Sequence, residues 1–431
     1  MKKLLAIFLL IGSTVLAREL TLDEAIDLSI ENSKDIQISE KDLEISKLNV
    51  KKAFKTALPS VAYSGQYSRT NYNRPVTVSE EEGARYTRGG YTQNLTLTQP
   101  LFAGGAIIAG IKGAQAYENI ASYNFLNSKI QIRIKTIEKF FNLLNAEKDL
   151  KALKNSKSIL QKRYDKQKVQ LDLRLIRKSD LSQTEYSLLE VESQIIALTS
   201  QIDTYREQLR IQTGLDRTEL IEVKDFDIPM NLSENINIDR DLKQALTESL
   251  GARIVEEQTK ISEAQRIAAT GDMLPKVNAF VSYGTTNKNS GSNGSRTTFR
   301  KSYQESEWTG GIQVSWNIFS FGSDYDSYRI AKLEEEQQKL RETSTKENIE
   351  INVKSAYYDV LRLEKLRDSR GKALEVAKLN FEMDQERYEA GLISTIDYLD
   401  TEDAYRNASI AYNEALMNYY VAFERYRSLL I

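Results

Sequence analysis

Near the end of the chain, "ERYEAGLISTIDYLD" sets Asp397 and Asp400 three residues apart, so both carboxylates leave one face of a helix. Such a pair attracts cations and, at a suitable separation, works as acid and base on a glycoside. The plainer reading is a solvated pair steadied by the helix N-terminal dipole. Just before it, Gly391 suits the left-handed end of an incoming helix, and Ser394 or Thr395 suits the cap of the outgoing one. The pair therefore follows a helix reversal. Other chemistry is scarce, because the 431 residues hold neither His nor Cys. That removes Cys nucleophiles, Ser-His-Asp triads, haem attachment and zinc sites built on those ligands. There is no GxxxxGK[ST] or GxGxxG loop, and no cofactor is expected.

The element that positions Asp397 and Asp400 is the last helix. Tyr398, Tyr405, Tyr412, Tyr419 and Tyr426 recur every seventh residue, and Thr401, Ala408, Ala415, Ala422 and Leu429 interleave with them at a 3-then-4 spacing. This is a coiled-coil seam alternating large with small, in which each hydroxyl needs a partner if it is buried. A ladder for stacking ligands is the other reading of the same rings.

A net charge of -2 supplies no excess cation for phosphate, so no nucleic-acid partner is expected. "MKKLLAIFLLIGSTVLA" has two lysines, an apolar run and a Val15-x-Ala17 ending, the pattern of a signal peptide over 1–17. Its apolar core is shorter than the ~20 residues that a spanning helix needs. No later segment offers a long uncharged apolar run, so membrane insertion would have to use strands. With no Cys, a lipid-anchored N-terminus is not expected.

The chain is written twice. "LPSVAYSGQYS" from Leu58 returns as "LPKVNAFVSYG" from Leu274, "LTLTQPLFAGG" from Leu95 as "IQVSWNIFSFG" from Ile312, and "LIRKSDLSQTE" from Leu175 as "LISTIDYLDTE" from Leu392. The offset stays at 216 or 217 residues. This predicts a first repeat over 18–220 with a strand hairpin at 58–101, a linker at 221–238, and a second repeat over 239–431 with a hairpin at 274–320. The tyrosine seam maps in the first copy onto Leu181, Thr184, Leu188, Val191, Ile195, Leu198, Ile202, Tyr205 and Leu209, which favours packing over stacking.

Four segments have period two. Val61, Tyr63, Gly65 and Tyr67 alternate with Ala62, Ser64, Gln66 and Ser68; Leu95 and Leu97 alternate with Asn94, Thr96 and Thr98; Val277, Ala279, Val281 and Tyr283 form a third apolar set. Trp308, Ile312, Val314, Trp316 and Ile318 form the fourth. Each reads as a strand with one apolar and one polar face, joined by the polar loops "RPVTVSEEEGARYTRGG" and "NKNSGSNGSRTTFRKSYQES". A small soluble two-sheet domain fits this pattern. A barrel with lipid outside and water inside fits it better, with Tyr63, Tyr67, Trp308 and Trp316 as membrane-interface aromatics. Four strands cannot close a barrel, and a free edge cannot face lipid, so several chains must share one; three would give twelve strands. The flanking helical runs, from about Ala106 to Tyr164 and Ser323 to Tyr388, would reach roughly 90–100 Å at 1.5 Å per residue.

Through the duplication, the "LP" strand openings, "QPLFAGG" and "RYEAGLISTIDYLDTEDAY", the chain resembles the TolC-like family of outer-membrane efflux channels. The resemblance implies an α+β homotrimer with a shared twelve-stranded barrel in outer-membrane lipid and a long helical tunnel across the periplasm. It also implies a constricted tip that docks onto a periplasmic adaptor and an inner-membrane pump. The family's cation-sensitive constriction falls on the two acids of "DYLD", here Asp397 and Asp400, and the tip turn that meets the adaptor falls on Gly391, Leu392 and Ser394. Tyr388 matches a tip tyrosine that helps hold the entrance closed, and Asp180 matches its acidic partner in the other copy. The chain departs from the family pattern at Ile393, where an arginine completes that lock in the best-known member. In the first copy the corresponding turn runs from Tyr164 to Asp180, one heptad longer, and lacks the glycine.

The expected function is a passive efflux conduit rather than an enzyme, in the outer membrane of a Gram-negative bacterium. The exit duct of a type I secretion system would use the same trimer, and a soluble periplasmic coiled-coil scaffold is the rival of another class.

Overall fold

The computed structural model describes residues 18–73, 85–217, 219, 221–292 and 300–431. The expected signal peptide and the centres of both hairpin loops lie outside these residues. The chain is α+β, and its elements run β1 (Arg18–Leu20), α1 (Leu22–Asn32), α2 (Lys34–Lys55), β2 (Ser60–Asn73), β3 (Arg85–Ala103), α3 (Ala106–Asp172) and α4 (Lys178–Thr213). There follow β4 (Ile221–Val223), α5 (Ile238–Glu248), α6 (Leu250–Asp272), β5 (Lys276–Ser292), β6 (Arg300–Ser315), α7 (Ser323–Glu389) and α8 (Thr395–Ser428). Among the described residues no helix is long and apolar enough to cross a membrane. Two units emerge, one from residues 18–41, 123–253 and 344–431, the other from 42–122 and 254–343.

In the second unit the four long strands form one antiparallel sheet in the order β2-β3-β5-β6. Each hairpin keeps to one repeat, and β3 pairing with β5 joins the repeats. Register sets Tyr63, Leu95, Tyr283 and Trp308 in one row and Val61, Leu97 and Val281 in the next, and these apolar side chains are exposed. The opposite face carries the rows Ser64, Asn94, Gly284, Glu307 and Gln66, Thr92, Thr286, Glu305. The pleat thus sorts the two sets as the alternation predicts.

The strands run farther than their pattern. They hold 14, 19, 17 and 16 residues, so positions 85–90, 287–292 and 300–306, expected as loop, are strand. Beyond Tyr67 and Tyr91 the residues turn mostly polar or glycine, which erases the periodic signal while the backbone pairing continues. At the other end, β6 stops at Ser315 because its partner β5 begins opposite it at Lys276. Trp316 and Ile318 therefore lie past the strand, and the Trp316 indole N–H donates to the Met273 carbonyl at 3.0 Å.

The helical parts of this unit pack through small residues and ion pairs. Arg266 of α6 donates to Glu335 of α7 at 2.5 Å, and Thr259 to Glu342 at 2.7 Å. At the end of β3, Gly104 has φ +62, and a Cβ there would sit 2.3 Å from the Gly271 carbonyl oxygen. Only glycine fits that approach.

The other unit is helical apart from β1 and β4, which pair in parallel. The segment 221–238, expected as a linker, thus begins with a strand. Leu20 and Ile221 from this pair, Ile137, Phe140, Phe141 and Leu143 of α3, and Ile202 and Leu209 of α4 are buried together. The tyrosine seam of α8 is a packing seam. Tyr398, Tyr419 and Tyr426 are among the largest fully buried side chains. The Tyr426 hydroxyl donates to Asp241 at 2.8 Å, and the Ser233 amide donates to the Tyr419 hydroxyl at 3.2 Å, which meets the need of a buried phenol for a partner.

Candidate functional site

Two helix reversals carry the predicted tip residues. In the second repeat α7 ends at Glu389, Gly391 takes φ +74, and the Leu392 amide donates back to the Arg387 carbonyl at 2.9 Å. This is a Schellman-type stop. Ser394 then caps α8: its hydroxyl accepts from the Asp397 amide at 3.2 Å, while Asp397 Oδ2 accepts from the Ser394 amide at 3.2 Å and from its hydroxyl at 2.7 Å. The reciprocal bonds form a capping box. In the first repeat the same stop is made without glycine and at the equivalent place: α3 ends at Asp172 and α4 starts at Lys178, as α7 ends at Glu389 and α8 starts at Thr395. The first turn is therefore not a heptad longer, as expected, the counterpart of Tyr388 being Leu171 rather than Tyr164. Arg174 adopts φ +61 after α3, and the Leu175 amide donates to the Gln170 carbonyl at 2.8 Å.

Asp397 and Asp400 are both exposed, and they do not do the same work. Asp397 is committed to the cap, whereas Asp400 lines a groove between α4 and α8 with Glu190 and Asp403. Asp180 mirrors Asp397: its Oδ2 accepts from the Arg177 amide at 3.2 Å at the start of α4. Among the described residues no hydrogen bond joins Asp180 to Tyr388 within one chain.

Tyr388 is held by Thr395, a cap candidate from the sequence, and by two residues that the sequence did not single out, Gln167 and Arg163. Its hydroxyl accepts from Gln167 Nε2 at 2.9 Å and lies 3.1 Å from the Thr395 hydroxyl. Gln167 is 0 % exposed. The buried Arg163 guanidinium lies 3.9 Å from the centre of the Tyr388 ring and 4.3 Å from that of Tyr398, a double cation–π contact. Burial pushes the Tyr398 hydroxyl and the Glu402 carboxyl up from their ordinary values. Ile393, standing where the lock arginine was expected, is half-buried against Tyr398 and its apolar neighbours. Nothing marks Arg163 and Gln167 in "QKRYDKQKVQ", where charged and amide residues fill every face of the helix.

Leu392 is exposed at the second turn, and Leu173 and Leu175 are exposed at the first. Of the four aromatics assigned to the membrane interface, Tyr63, Tyr67 and Trp308 stand exposed on the apolar sheet face, and Trp316 is exposed beyond it.

Comparisons with known proteins agree with this architecture. The model of the outer membrane efflux protein family matches residues 25–215 and 242–430. Among curated proteins, nothing matches the chain. Among solved structures, the Campylobacter jejuni CmeC outer membrane channel is 18% identical with a TM-score of 0.76, covering 95% of this chain and 85% of that one. The Vibrio cholerae outer membrane protein VceC is 13% identical with a TM-score of 0.73, covering 95% of each chain. The open state of the Neisseria gonorrhoeae MtrE outer membrane channel is 16% identical with a TM-score of 0.72, covering 95% of this chain and 88% of that one. At these identities the structural likeness speaks for the fold, and the two-part family match covers most of the sequence; the chain belongs to the outer membrane efflux protein family.

Proposed function

We propose that this chain is the outer-membrane channel of a tripartite efflux system, working as a homotrimer that docks onto a periplasmic adaptor and an inner-membrane pump. The observation that carries the reading is the sheet: one face apolar and exposed, the other polar, and two edges, β2 and β6, without a partner strand among the described residues. In lipid every N–H and C=O of those edges needs a partner, and three sheets joined edge to edge supply them in a twelve-stranded barrel. The apolar rows then meet lipid, and the polar rows with Glu305 and Glu307 line water. The conduit is passive and performs no catalysis; its energy comes from the pump.

At the periplasmic end the turns at Arg174 and Gly391 present Leu173, Leu175 and Leu392 to the adaptor, since exposed leucines at a helix reversal are ready contacts for a partner. Three copies bring Asp397 and Asp400 into a ring whose field favours cations. Asp397 keeps its negative charge while it caps α8, because its partners there are a neutral amide and hydroxyl, so both acids contribute to that field. Tyr388 holds the tip together with Arg163 and Gln167, the arginine coming from the first repeat rather than from position 393.

The test is channel recording in planar bilayers under a salt gradient. Replacing both acids, Asp397→Asn with Asp400→Asn, lowers cation preference. An unchanged reversal potential would remove the acid ring, and a particle that is monomeric in mild detergent would remove the channel.

A further inference from the structure

In the middle of α3 two side-chain oxygens are buried without a hydrogen bond. Asp149 is 9 % exposed, and its Oδ1 has no partner among the described residues. One turn earlier on the same helix face, Asn145 Oδ1 is likewise buried and unpartnered. The two side chains meet, since Asn145 Nδ2 donates to Asp149 Oδ2 at 3.4 Å. From α8, Asn413 meets the same carboxyl and Glu414 acts on it through its charge. Acceptors held out of water in this way cost free energy unless something donates to them or coordinates them.

The spot is reached from a cleft. A cavity of about 800 Å³ lies between α3, α7 and α8, and on the side of Asp149 its last wall residues are Asn145 on α3 and Glu414 on α8. Of the three acids on its walls, Glu138 pairs with Arg425 at 2.6 Å and Asp359 with Arg362 at 3.3 Å. Glu414 is exposed and has no ion pair among the described residues. Burial first, and then the Glu414 charge, push the Asp149 carboxyl up to about 6. A cation seated between the two acids counters their repulsion and gives the unpartnered oxygens something to bind. We infer that Asp149, Asn145 and Glu414 bind a hard divalent cation of the calcium class, which ties α3 of the first repeat to α8 of the second.

The donor set selects the ion. Every ligand is a carboxylate or amide oxygen, which suits Ca²⁺, whose shell of roughly six to eight oxygens is flexible and takes water from an open side. Mg²⁺ fits less well because it demands a near-ideal octahedron, and softer metals favour nitrogen or sulfur ligands. Among the described residues no three acids gather at one point, so binding is modest, with Kd on the order of 0.1 mM. The duplication shows that helix packing alone does not call for this set. One repeat away, the counterparts of Asn145, Asp149, Asn413 and Glu414 are Arg362, Leu366, Ile196 and Ala197, and none of them offers an oxygen ligand. All the ligands belong to one unit of a single chain, so the site depends neither on the assembly nor on the acids of the tip.

Hydrogen exchange on the full-length protein in mild detergent tests the site, first with EDTA and then with Ca²⁺ at constant ionic strength. At about 1 mM Ca²⁺ and a Kd of about 0.1 mM, mass action slows exchange roughly tenfold at the amides of 145–153 and 413–418. Asp149→Asn and Glu414→Gln, both close in shape to the residues they replace, each abolish the slowing. Asp397→Asn with Asp400→Asn keeps it, and Mg²⁺ at the same concentration slows exchange less. No slowing in the unaltered chain overturns the proposal. Slowing that survives Asp149→Asn combined with Glu414→Gln also overturns it, because the ion then sits on other acids. Equal slowing by added NaCl overturns it as well, since charge screening alone would account for the effect.

Discussion

Replacing Tyr388 by phenylalanine isolates what its hydroxyl does at the tip. The ring remains beneath Arg163, 3.9 Å from the guanidinium, so the cation–π contact survives. What is lost is the acceptor for Gln167 Nε2 at 2.9 Å and the partner of the Thr395 hydroxyl at 3.1 Å. Gln167 is fully buried and keeps only a 3.4 Å approach to Thr395. A buried donor left without its bond costs about 1–3 kcal/mol. At about 1.4 kcal/mol per factor of ten, the opening equilibrium of the turn shifts roughly 5- to 150-fold. Hydrogen exchange reads this at the amides of Gly391 and Leu392, which donate to Tyr388 and Arg387. Exchange there accelerates by that factor, while amides around Phe140, in the separate core of α3 and α4, keep their rates. Gln167→Leu, which removes the donor instead of exposing it, costs less than Tyr388→Phe. Unchanged exchange at Gly391 and Leu392 in Tyr388→Phe would refute the claim that this cluster holds the turn.

Three further outcomes are expected. Arg174→Gly removes the strain of a left-handed residue with a Cβ, about 1 kcal/mol, partly offset by glycine's freedom when unfolded, and slows exchange at Leu175; Arg174→Val speeds it. Burial pushes the Asp149 carboxyl up to about 6, so the folded chain holds its proton more tightly than the unfolded one, and stability falls as pH rises from about 4 to about 6. Asp149→Asn abolishes that fall and gains on the order of 1 kcal/mol at pH 7 after allowance for screening; equal gains in melting temperature at pH 4 and pH 7 would contradict the assignment. Gly104→Ala forces a Cβ against the Gly271 backbone and lowers stability by about 1–3 kcal/mol, whereas Phe321→Gly, at a similar backbone conformation and with the ring exposed beside Phe319, lowers it less; thermal melts compare the two.

Much of this protein was decided locally and could be read from the chain. Helix stops depend on a few neighbouring residues, so Gly391 announced the turn and Ser394, with Thr395 as the other candidate, the cap, whereas the part that Asp397 takes in that cap came only with the structure. Pleat and heptad are also short-range, which is why the apolar row through Tyr63, Leu95 and Trp308 and the buried Tyr398, Tyr419 and Tyr426 were visible as periods. The long polar ends of the strands were not visible, because two polar faces carry no period. Arg174 was missed as a left-handed residue because its conformation is imposed by the helix stop rather than by its own preference.

The duplication, the type of each major element and the residues that share each face of a strand can be read from the chain, since all three are carried by residue type at short fixed spacing. Which strands pair across the repeats, where β6 runs out of partner, and that Gln167 meets Tyr388 from 221 residues away were set by the folded chain. Those outcomes depend on how distant segments pack, and the energy that selects them belongs to the contact rather than to either segment alone.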